Sequence, residues 1–400
     1  MRLATKTRHR LRLTALGLVL LLAVALLTPA VSAHAKLLRS EPKGNSTVPQ
    51  APTLVELWFS EELETRFNTI EVKDQQGKRV DRGEVSLSEE NKKAQVALDG
   101  LGAGTYTVVW KVLSMDEHTL RGTFSFTVAQ SVAPAGTEAS PANATDTAGA
   151  AQALPHESPM DSMPSAKSEE GYEISPGHSA VRWLSYLAMM TLFGGFAFYL
   201  LVLAPALRQV SSATGTDDLR VTGARRIVIL SWVGLILLAV MSFVALAFQA
   251  SGVFDKSLSE ALSPSLLGQV ITDTGYGGHW LLEILSVVVL AVILFILSSR
   301  LKQAPAKGHK AIWWAGLLAS AVLLIAPSWT GHAVAAVKDY RLAVVTDWLH
   351  LLAGGFWVGG LFHLALTLPS VVAGFDKARR ISLLHEVIKR FTRIAMPAVA

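Results

Sequence analysis

Long apolar segments in the second half of the chain restrict its possible folds more than any other feature. About 20 consecutive apolar residues are enough for a helix to cross a bilayer. Runs of that kind lie near 180–207, 227–250, 279–298, 312–328 and 343–369. A sixth begins near Arg393 and stops at Ala400, which suggests a fragment or a truncated gene product. Residues 178–400 therefore predict a polytopic α-helical transmembrane domain with about five spans and a truncated sixth.

The first 33 residues have the pattern of a secretory signal peptide. Basic residues from Arg8 to Arg12 precede an apolar run from Leu13 to Leu27, and Val31-Ser32-Ala33 has the small residues of a cleavage site. Cleavage after Ala33 would make His34 the first residue of the mature protein. An N-terminal histidine offers both its α-amine and its imidazole to one metal ion, which no internal histidine can do.

Residues 34–128 have the pattern of a small β domain. Short runs of β-forming residues, several with an alternating pattern, are separated by turn residues and show no helical period. These runs are 54–59, 70–72, 78–85, 95–98, 106–112 and 123–128. They predict an antiparallel, immunoglobulin-like sandwich. Its expected core contains Trp58, Trp110, Phe124 and Phe126.

Asp116 and His118 lie between the last two strong strands, where a connecting loop is expected. At a spacing of two in an extended segment, their side chains point the same way. With His34 they offer one amine nitrogen, two imidazole nitrogens and a carboxylate oxygen. This sulfur-free set suits tetragonal Cu(II) better than Cu(I). An exposed loop aspartate beside a surface histidine is the alternative. Because the chain has no cysteine, thiolates supply neither ligands nor disulfides.

Several motifs within 34–128 resemble the CopC copper-binding family. They are His34-Ala-Lys-Leu-Leu-Arg-Ser-Glu-Pro42, Phe59-Ser60-Glu61, Gly104-Thr-Tyr-Thr-Val-Val-Trp110, Ser114-Met-Asp116-Glu-His118, Gly122 and Phe126. The resemblance implies a cupredoxin-like sandwich that holds Cu(II) with His34, Asp116 and His118, while Glu61 lies behind these ligands. Residues 67–113 contain no methionine, in contrast to the Met-rich loop of the family's two-site members. A separate Cu(I) site in this domain is therefore not expected.

Residues 129–177 are rich in Ala, Pro, Ser, Thr and Gly and have few aromatic residues. This composition predicts a disordered linker. Such a chain would span roughly 35–40 Å, enough for the sandwich to reach the membrane surface. His156, Met160 and Met163 lie within it. Scattered linker residues usually have no role, and a transient copper relay is the alternative.

Basic residues are concentrated in alternate loops between the predicted spans. The basic loops are 208–226, 299–311 and 370–392. Loop 251–278 instead has one lysine against three acidic residues. Because basic loops stay cytoplasmic, the first span should run inward, with the sandwich outside a bacterial cell membrane. The net charge of +5 is then a topology signal, and no nucleic-acid partner is expected.

Two segments of the predicted membrane part resemble each other. The first segment is Arg182-Trp-Leu-Ser-Tyr-Leu-Ala, followed by Gly194-Gly195. It matches a second segment, Asp347-Trp-Leu-His-Leu-Leu-Ala, followed by Gly359-Gly360. The spacing between the matching positions is constant. The match predicts a duplicated helical unit whose second copy is truncated.

Polar side chains at helical spacing form three stripes in the predicted spans. They are His178, Arg182, Ser185 and Met189; His279 and Glu283; and Asp347, His350, Gly354 and Trp357. His332 lies in the turn before the third of these helices. Ionisable residues inside a span are costly, so we expect the stripes to converge on a polar pocket that opens outward. His178 could instead anchor at the headgroups. His363 lies deeper, on the opposite face, and is a candidate for a separate inner site.

Three motifs of the predicted membrane part resemble the CopD copper-transport family. They are Ser328-Trp-Thr-Gly331-His332-Ala333, Asp347-Trp-Leu-His350 and Gly354-Gly-Phe-Trp357-Val-Gly-Gly360. The order of the two parts resembles the CopC/CopD fusion proteins of the YcnJ type, and implies copper capture outside and delivery to a membrane permease. Met189, Met190 and Met241 would tolerate Cu(I) along the path. The expected partners are copper ions and the lipid bilayer, with an extracytoplasmic copper chaperone or reductase as a further candidate.

Other functions stay open from the sequence. The residues do not reveal direction, so copper resistance by efflux or sequestration is an alternative to acquisition. A membrane haem protein is a second, since His350 and His363 are near the spacing of stacked haem ligands. An oxygen-activating copper enzyme is a third, although a carboxylate in the equatorial plane leaves little room for oxygen. We expect a transport protein and not an enzyme. The chain has no phosphate-binding loop of the Gly-x4-Gly-Lys-Ser/Thr type, so primary pumping is not expected.

Overall fold

The structure is a computed structural model that describes residues 36–115, 118–129, 176–210, 217–303, 309–330 and 340–399. The predicted signal peptide, the candidate ligands His34 and Asp116, and almost all of the predicted linker lie outside these residues. His332 also lies outside them. The predictions made for those positions therefore stay predictions.

The described residues between 36 and 129 form a sandwich of two four-stranded sheets, which confirms the predicted fold. The strands are β1 Leu37–Glu41, β2 Thr47–Val48, β3 Leu54–Phe59, β4 Thr69–Lys73, β5 Asp81–Ser88, β6 Lys93–Leu98, β7 Gly104–Leu113 and β8 Thr119–Val128. One sheet has the order β1-β3-β6-β5 and the other β2-β8-β7-β4. All neighbours are antiparallel except β2 and β8. The sequence did not predict β1 and β2, because neither has an alternating run of β-forming residues.

Alternate side chains of the strands fill the space between the sheets. Leu57 and Phe59 of β3 are buried, and Phe59 meets Trp110 of β7 edge to face at 5.3 Å. Trp58 was predicted in the core and is not there. Successive strand residues point to opposite faces, so Trp58 must lie outside when its neighbours are inside. The Arg39 guanidinium covers its ring at 3.8 Å.

The remaining described residues are helical. The helices are α1 Pro176–Ala197, α2 Ala204–Val210, α3 Asp217–Phe254, α4 Leu258–Ala261, α5 Pro264–Asp273, α6 Gly275–Gln303, α7 Lys310–Leu323, α8 Ile325–Thr330, α9 Tyr340–Gly354, α10 Gly360–Val372 and α11 Lys377–Val399. A π-helical segment, Phe198–Leu203, joins α1 to α2, and another, Gly355–Gly359, joins α9 to α10.

Five helical segments are long and apolar enough to cross a membrane, in agreement with the five predicted spans. They are Pro176–Val210, Leu219–Phe254, Gly275–Gln303, Lys310–Trp329 and Arg341–Val372. The chain is thus a multi-pass membrane protein. Many apolar side chains of α3 and α6 are exposed on its surface, as expected for residues that face lipid.

The region after the fifth span differs from the prediction. We expected a loop over 370–392 and an apolar span from Arg393, but α11 begins at Lys377 and continues to Val399. It is not among the five spans. Leu383, Val387 and Phe391 recur every four residues and are buried, whereas Lys389 between them is exposed and Glu386 pairs with Arg390. The helix is therefore amphipathic, which a search for continuous apolar runs does not detect.

The two copies of the predicted repeat meet at their matching glycines. A Cβ atom on Gly194 would overlap the backbone of Gly359, and a Cβ atom on Gly359 would overlap the carbonyl oxygen of Met190. Small residues allow helix backbones to approach this closely. The duplicated motif thus forms a helix crossing between α1 and the π-helical segment that joins α9 to α10.

Gly194→Ala is expected to destabilise the protein by roughly 1–3 kcal/mol, the usual cost of overpacking, because its methyl group has no space at the crossing. Thermal unfolding in detergent measures the effect. Gly354→Ala is the matched control, since the nearest atom to its added Cβ is Met190 Cε at 3.6 Å. Equal unfolding temperatures for the two variants would contradict the proposed close approach.

Candidate metal-transfer site

A cavity of about 110 Å³ lies between the sandwich and the ends of the helices that face it. The residues that line it come from the loop before β8 and from α1, α3, α6 and α8. Its polar and sulfur-containing lining includes His118, His178, Met189, Gln249, His279 and Glu283. Histidines from the two parts of the chain therefore line the same partly open cavity.

His118 reaches this cavity because of the hairpin that carries it. Strands β7 and β8 pair along their full length, and Leu113 opposite Thr119 is the last pair before the connecting loop. The backbone N–H of Ser114 donates to the carbonyl of His118 at 2.9 Å, which closes the loop. The imidazole is 7% exposed. The loop thus fixes His118 at the edge of the sandwich that faces the helices.

Glu61 lies beside the same loop. The hydroxyl of Ser114 is 3.3 Å from Glu61 Oε2 and donates to it. Glu61 is thus connected to the segment that carries His118, which is compatible with a supporting role behind the ligands. That role stays a prediction, since Asp116 is outside the described residues.

Two of the three predicted stripes converge on the cavity. His178 lies in the first turn of α1 and stacks on Phe248 with a centroid distance of 5.7 Å. Met189 is farther along α1 and 3% exposed. On α6, His279 packs against Trp329 at 6.1 Å, and Glu283 follows one turn later. One aromatic neighbour thus limits the rotation of each imidazole.

The third stripe is not part of this cavity. Trp348 of α9 points toward α7, and its indole N–H donates to the carbonyl of Ala321 at 2.8 Å. Two residues correspond to about 200° around a helix, so His350 points to the other side. His350 is exposed, as is Trp357 at 42%. The predicted convergence on one pocket therefore includes two stripes and not the third.

His363 lies inside a helix packing interface. It is fully buried, and its Nε2 is 2.9 Å from the carbonyl oxygen of Thr191. A Cβ atom on Gly195 would approach the same nitrogen to 2.7 Å. No group of three His, Asp or Glu side chains that could hold a metal occurs within the described residues. Within these residues, the separate inner site at His363 therefore stays a prediction.

The sandwich is held over the helices by charged contacts centred on Asp255. Lys111 of β7 donates to its carboxylate at 2.6 Å and to the carbonyl of Val253 at 2.5 Å. Arg121 of β8 donates to the other carboxylate oxygen and, at 3.3 Å, to the carbonyl of Gly252. Asp255 adopts the left-handed conformation with φ +53°, which ends α3 and presents the carboxylate to both cations.

A second group of contacts lies at the start of α6. Glu64 accepts a hydrogen bond from the backbone N–H of Gly275 at 2.7 Å, and the positive end of a helix stabilises such a carboxylate. Burial raises the pKa of Glu64, although Gly275 and the nearby His279 act in the opposite direction. Arg66 pairs with Asp273 at 3.0 Å.

Sequence reasoning missed these docking residues. Asp255 and Asp273 were used only as topology signals in loop 251–278, and their partners were ordinary surface charges of the sandwich. The opposite charges of the loop and of the sandwich were the available signal. Many surfaces carry such charges, so the pairing could not be assigned without the tertiary structure.

Both parts of the chain match known copper-protein families. Residues 37–129 match the CopC domain, and residues 173–339 match the copper resistance protein D-like, N-terminal domain. Among curated proteins, the copper transport protein CutJ of Bacillus subtilis (strain 168) is 27% identical over 384 residues. The match covers 96% of this chain, and this chain spans 62% of the length of CutJ.

The sandwich has further relatives of its own. Protein YobA of Escherichia coli (strain K12) is 34% identical over 110 residues, which are 27% of this chain and 89% of YobA. The crystal structure of CopC from Methylosinus trichosporium OB3b is 28% identical and covers 24% of this chain and 95% of that one, with a TM-score of 0.23. By the two family matches, the chain joins a CopC domain to a CopD-like N-terminal domain in one polypeptide, the arrangement of the CopC/CopD fusion proteins.

Proposed function

We propose that this protein acquires copper and passes it across the bacterial cell membrane. Cu(II) is captured by the His34 amine and imidazole, Asp116 and His118, and then enters the cavity beneath the sandwich. The observation that carries the proposal is the position of His118, which lines the same cavity as His178, His279 and Met189. The relatives named for copper transport and copper resistance support the choice of metal.

The donors of the cavity are suited to a stepwise exchange of ligands. Imidazole nitrogen is a good ligand for copper, whereas the thioether of Met189 favours Cu(I). Glu283 would offset part of the cost of a cation inside a membrane span. The change from nitrogen to sulfur donors along α1 is compatible with one-electron reduction of Cu(II) by an extracytoplasmic reductase, and a copper chaperone is the other candidate partner. The protein acts on copper by binding and transfer and not as an enzyme.

The proposed orientation puts the sandwich outside the membrane. The predicted signal peptide and the basic residues in alternate loops both favour it. In this orientation the cavity faces the exterior, and copper bound to the sandwich has a short route to the spans. Direction of transfer follows from the resemblance to the fusion proteins of the uptake type.

The haem alternative is less well supported by the helix packing. As ligands of two stacked haems, His350 and His363 would each have to face a space between helices that is wide enough for a cofactor. His350 is exposed, however, and His363 fills a crossing where Gly195 leaves space only for its ring.

The double variant His178→Ala/His279→Ala is expected to lower copper accumulation in copper-limited cells roughly tenfold, while the isolated protein still binds Cu(II) through the sandwich. Loss of a residue that only orients a metal ligand typically costs 10–100-fold in metal affinity or activity, so loss of two direct ligands should cost at least the lower end of that range. Cellular copper is measured in a deletion strain that carries each variant. His385→Ala is the control, because this histidine lies on α11, away from the cavity lining.

Two outcomes would contradict the proposal. Higher copper in the deletion strain than in the parent would reverse the assigned direction. Unchanged accumulation in the double variant, at equal protein level, would exclude the cavity as the route.

A further inference from the structure

A second cavity, of about 170 Å³, lies at the opposite end of the helices from the sandwich. The helix directions establish this position. Helix α1 has His178 at its sandwich end and runs toward α2, while α3 begins at this far end and finishes at Phe254 beside the sandwich. The cavity lies where α2, the start of α3 and the start of α7 meet. We refer to it as the basic cavity.

Three cationic side chains line the basic cavity. They are Arg208 of α2, Arg220 of α3 and Lys310 of α7. No acidic side chain is among the residues that line it in the described part of the chain. Arg220 also hydrogen-bonds the hydroxyl of Tyr199, which holds the guanidinium at the cavity wall. Like charges that line one cavity repel one another, so this arrangement favours an anion between them.

Aromatic and apolar residues form the rest of the wall. Tyr199 is 4% exposed and stacks on Trp313 with a centroid distance of 3.7 Å, so it is a rigid part of the helix packing. Trp314 is 39% exposed at the rim, a position typical of aromatic residues at the level of lipid headgroups. The site thus combines three cations, of which Arg220 is held by Tyr199, with an aromatic rim at the expected membrane–water boundary.

We propose that the basic cavity binds a phosphate group. Guanidinium groups match the tetrahedral oxygens of phosphate with paired hydrogen bonds, and lysine adds a point charge. Basic pockets between membrane helices on the cytoplasmic side are suited to anionic phospholipid headgroups. The same three cations would also take free phosphate. The site is separate from the copper path, so this proposal does not depend on the proposed transport.

Native mass spectrometry of the full-length protein tests the site, with phosphatidylglycerol, phosphatidylcholine and inorganic phosphate as separate probes. The variant Arg208→Gln/Lys310→Gln is suitable because both side chains are exposed and their removal leaves the buried packing intact. Phosphatidylglycerol binding is expected to weaken roughly fivefold for each charge removed. Thermal unfolding verifies that the variant is folded.

The matched control is Arg300→Gln/Lys302→Gln. These two cations lie in the last turn of α6, at the same end of the helices but outside the cavity lining. Phosphatidylglycerol binding that falls only in the cavity variant, and that millimolar phosphate does not displace, identifies a lipid headgroup site. Displacement by phosphate with the same dependence on Arg208 and Lys310 identifies free phosphate as the ligand. Equal losses in both variants, or no loss in either, would overturn the proposal.

Discussion

His118→Ala is expected to weaken Cu(II) binding by the mature full-length protein at least about 100-fold. The proposed site has one carboxylate and three nitrogen donors, and loss of a direct ligand should cost at least as much as the 10–100-fold known for residues behind the ligands. Competition titration against a chelator of known affinity measures the change. His118 is the one proposed ligand that lies within the described residues. It is buried in the loop before β8, so the surroundings of the substitution are known.

Two controls separate ligand loss from misfolding. His309→Ala removes a histidine next to α7, far from the sandwich, and should leave Cu(II) affinity unchanged. A protein with one extra alanine before His34 keeps every proposed side-chain ligand, yet its α-amine is moved away from the metal. This form should bind Cu(II) more weakly than the correctly cleaved protein. Equal binding by both forms would mean that the amine is not a ligand.

Asp255→Lys is expected to lower the equilibrium constant for docking of the sandwich onto the helices roughly tenfold. It replaces two attractive contacts, to Lys111 and Arg121, with two repulsions, and exposed pairs contribute about 0.2–1 kcal/mol each. Because the natural chain has no cysteine, a designed disulfide can report docking. A Cβ atom on Gly252 would be 3.8 Å from Thr119 Oγ1, so the variant Thr119→Cys/Gly252→Cys should cross-link on mild oxidation.

The yield of this cross-link gives the docked fraction with and without Asp255→Lys. Asp255→Asn is the conservative control, since asparagine tolerates the left-handed conformation and removes only the charge. Asp255→Asn should lower the cross-link yield, but by less than Asp255→Lys does. Leu38→Cys/Gly252→Cys, with an exposed Leu38, should not cross-link. A cross-link yield that Asp255→Lys leaves unchanged would show that these ion pairs do not hold the sandwich in place.

The docking contacts are suited to an association that opens and closes. The carboxylate of Asp255 is half exposed, so salt should weaken its contacts. Glu64 and Gly275 add a less exposed contact next to His279. High ionic strength should therefore lower the cross-link yield before it affects the fold.

Local patterns predicted most of the architecture. Short runs of β-forming residues, some of them alternating, marked six strands, and continuous apolar runs marked five spans, because each pattern reports which faces of one element are buried. The same reasoning failed for Trp58, whose face is set by the neighbouring strand residues, and for α11. In α11 the buried apolar residues are separated by charged residues. A search for apolar residues at helical spacing would have identified them, whereas a search for continuous apolar runs did not.

The sequence by itself determined the candidate chemistry: a histidine after the cleavage site, an Asp-x-His loop, and histidines at helical spacing within spans. Those features depend on residue type and local spacing. The tertiary structure decided which of them share a space. Helix rotation brings His178 and His279 to one cavity with His118 and turns His350 away, while Asp255 and the basic cavity bring together residues far apart in the chain. Such proximity depends on helix packing angles, and packing is a property of the whole fold.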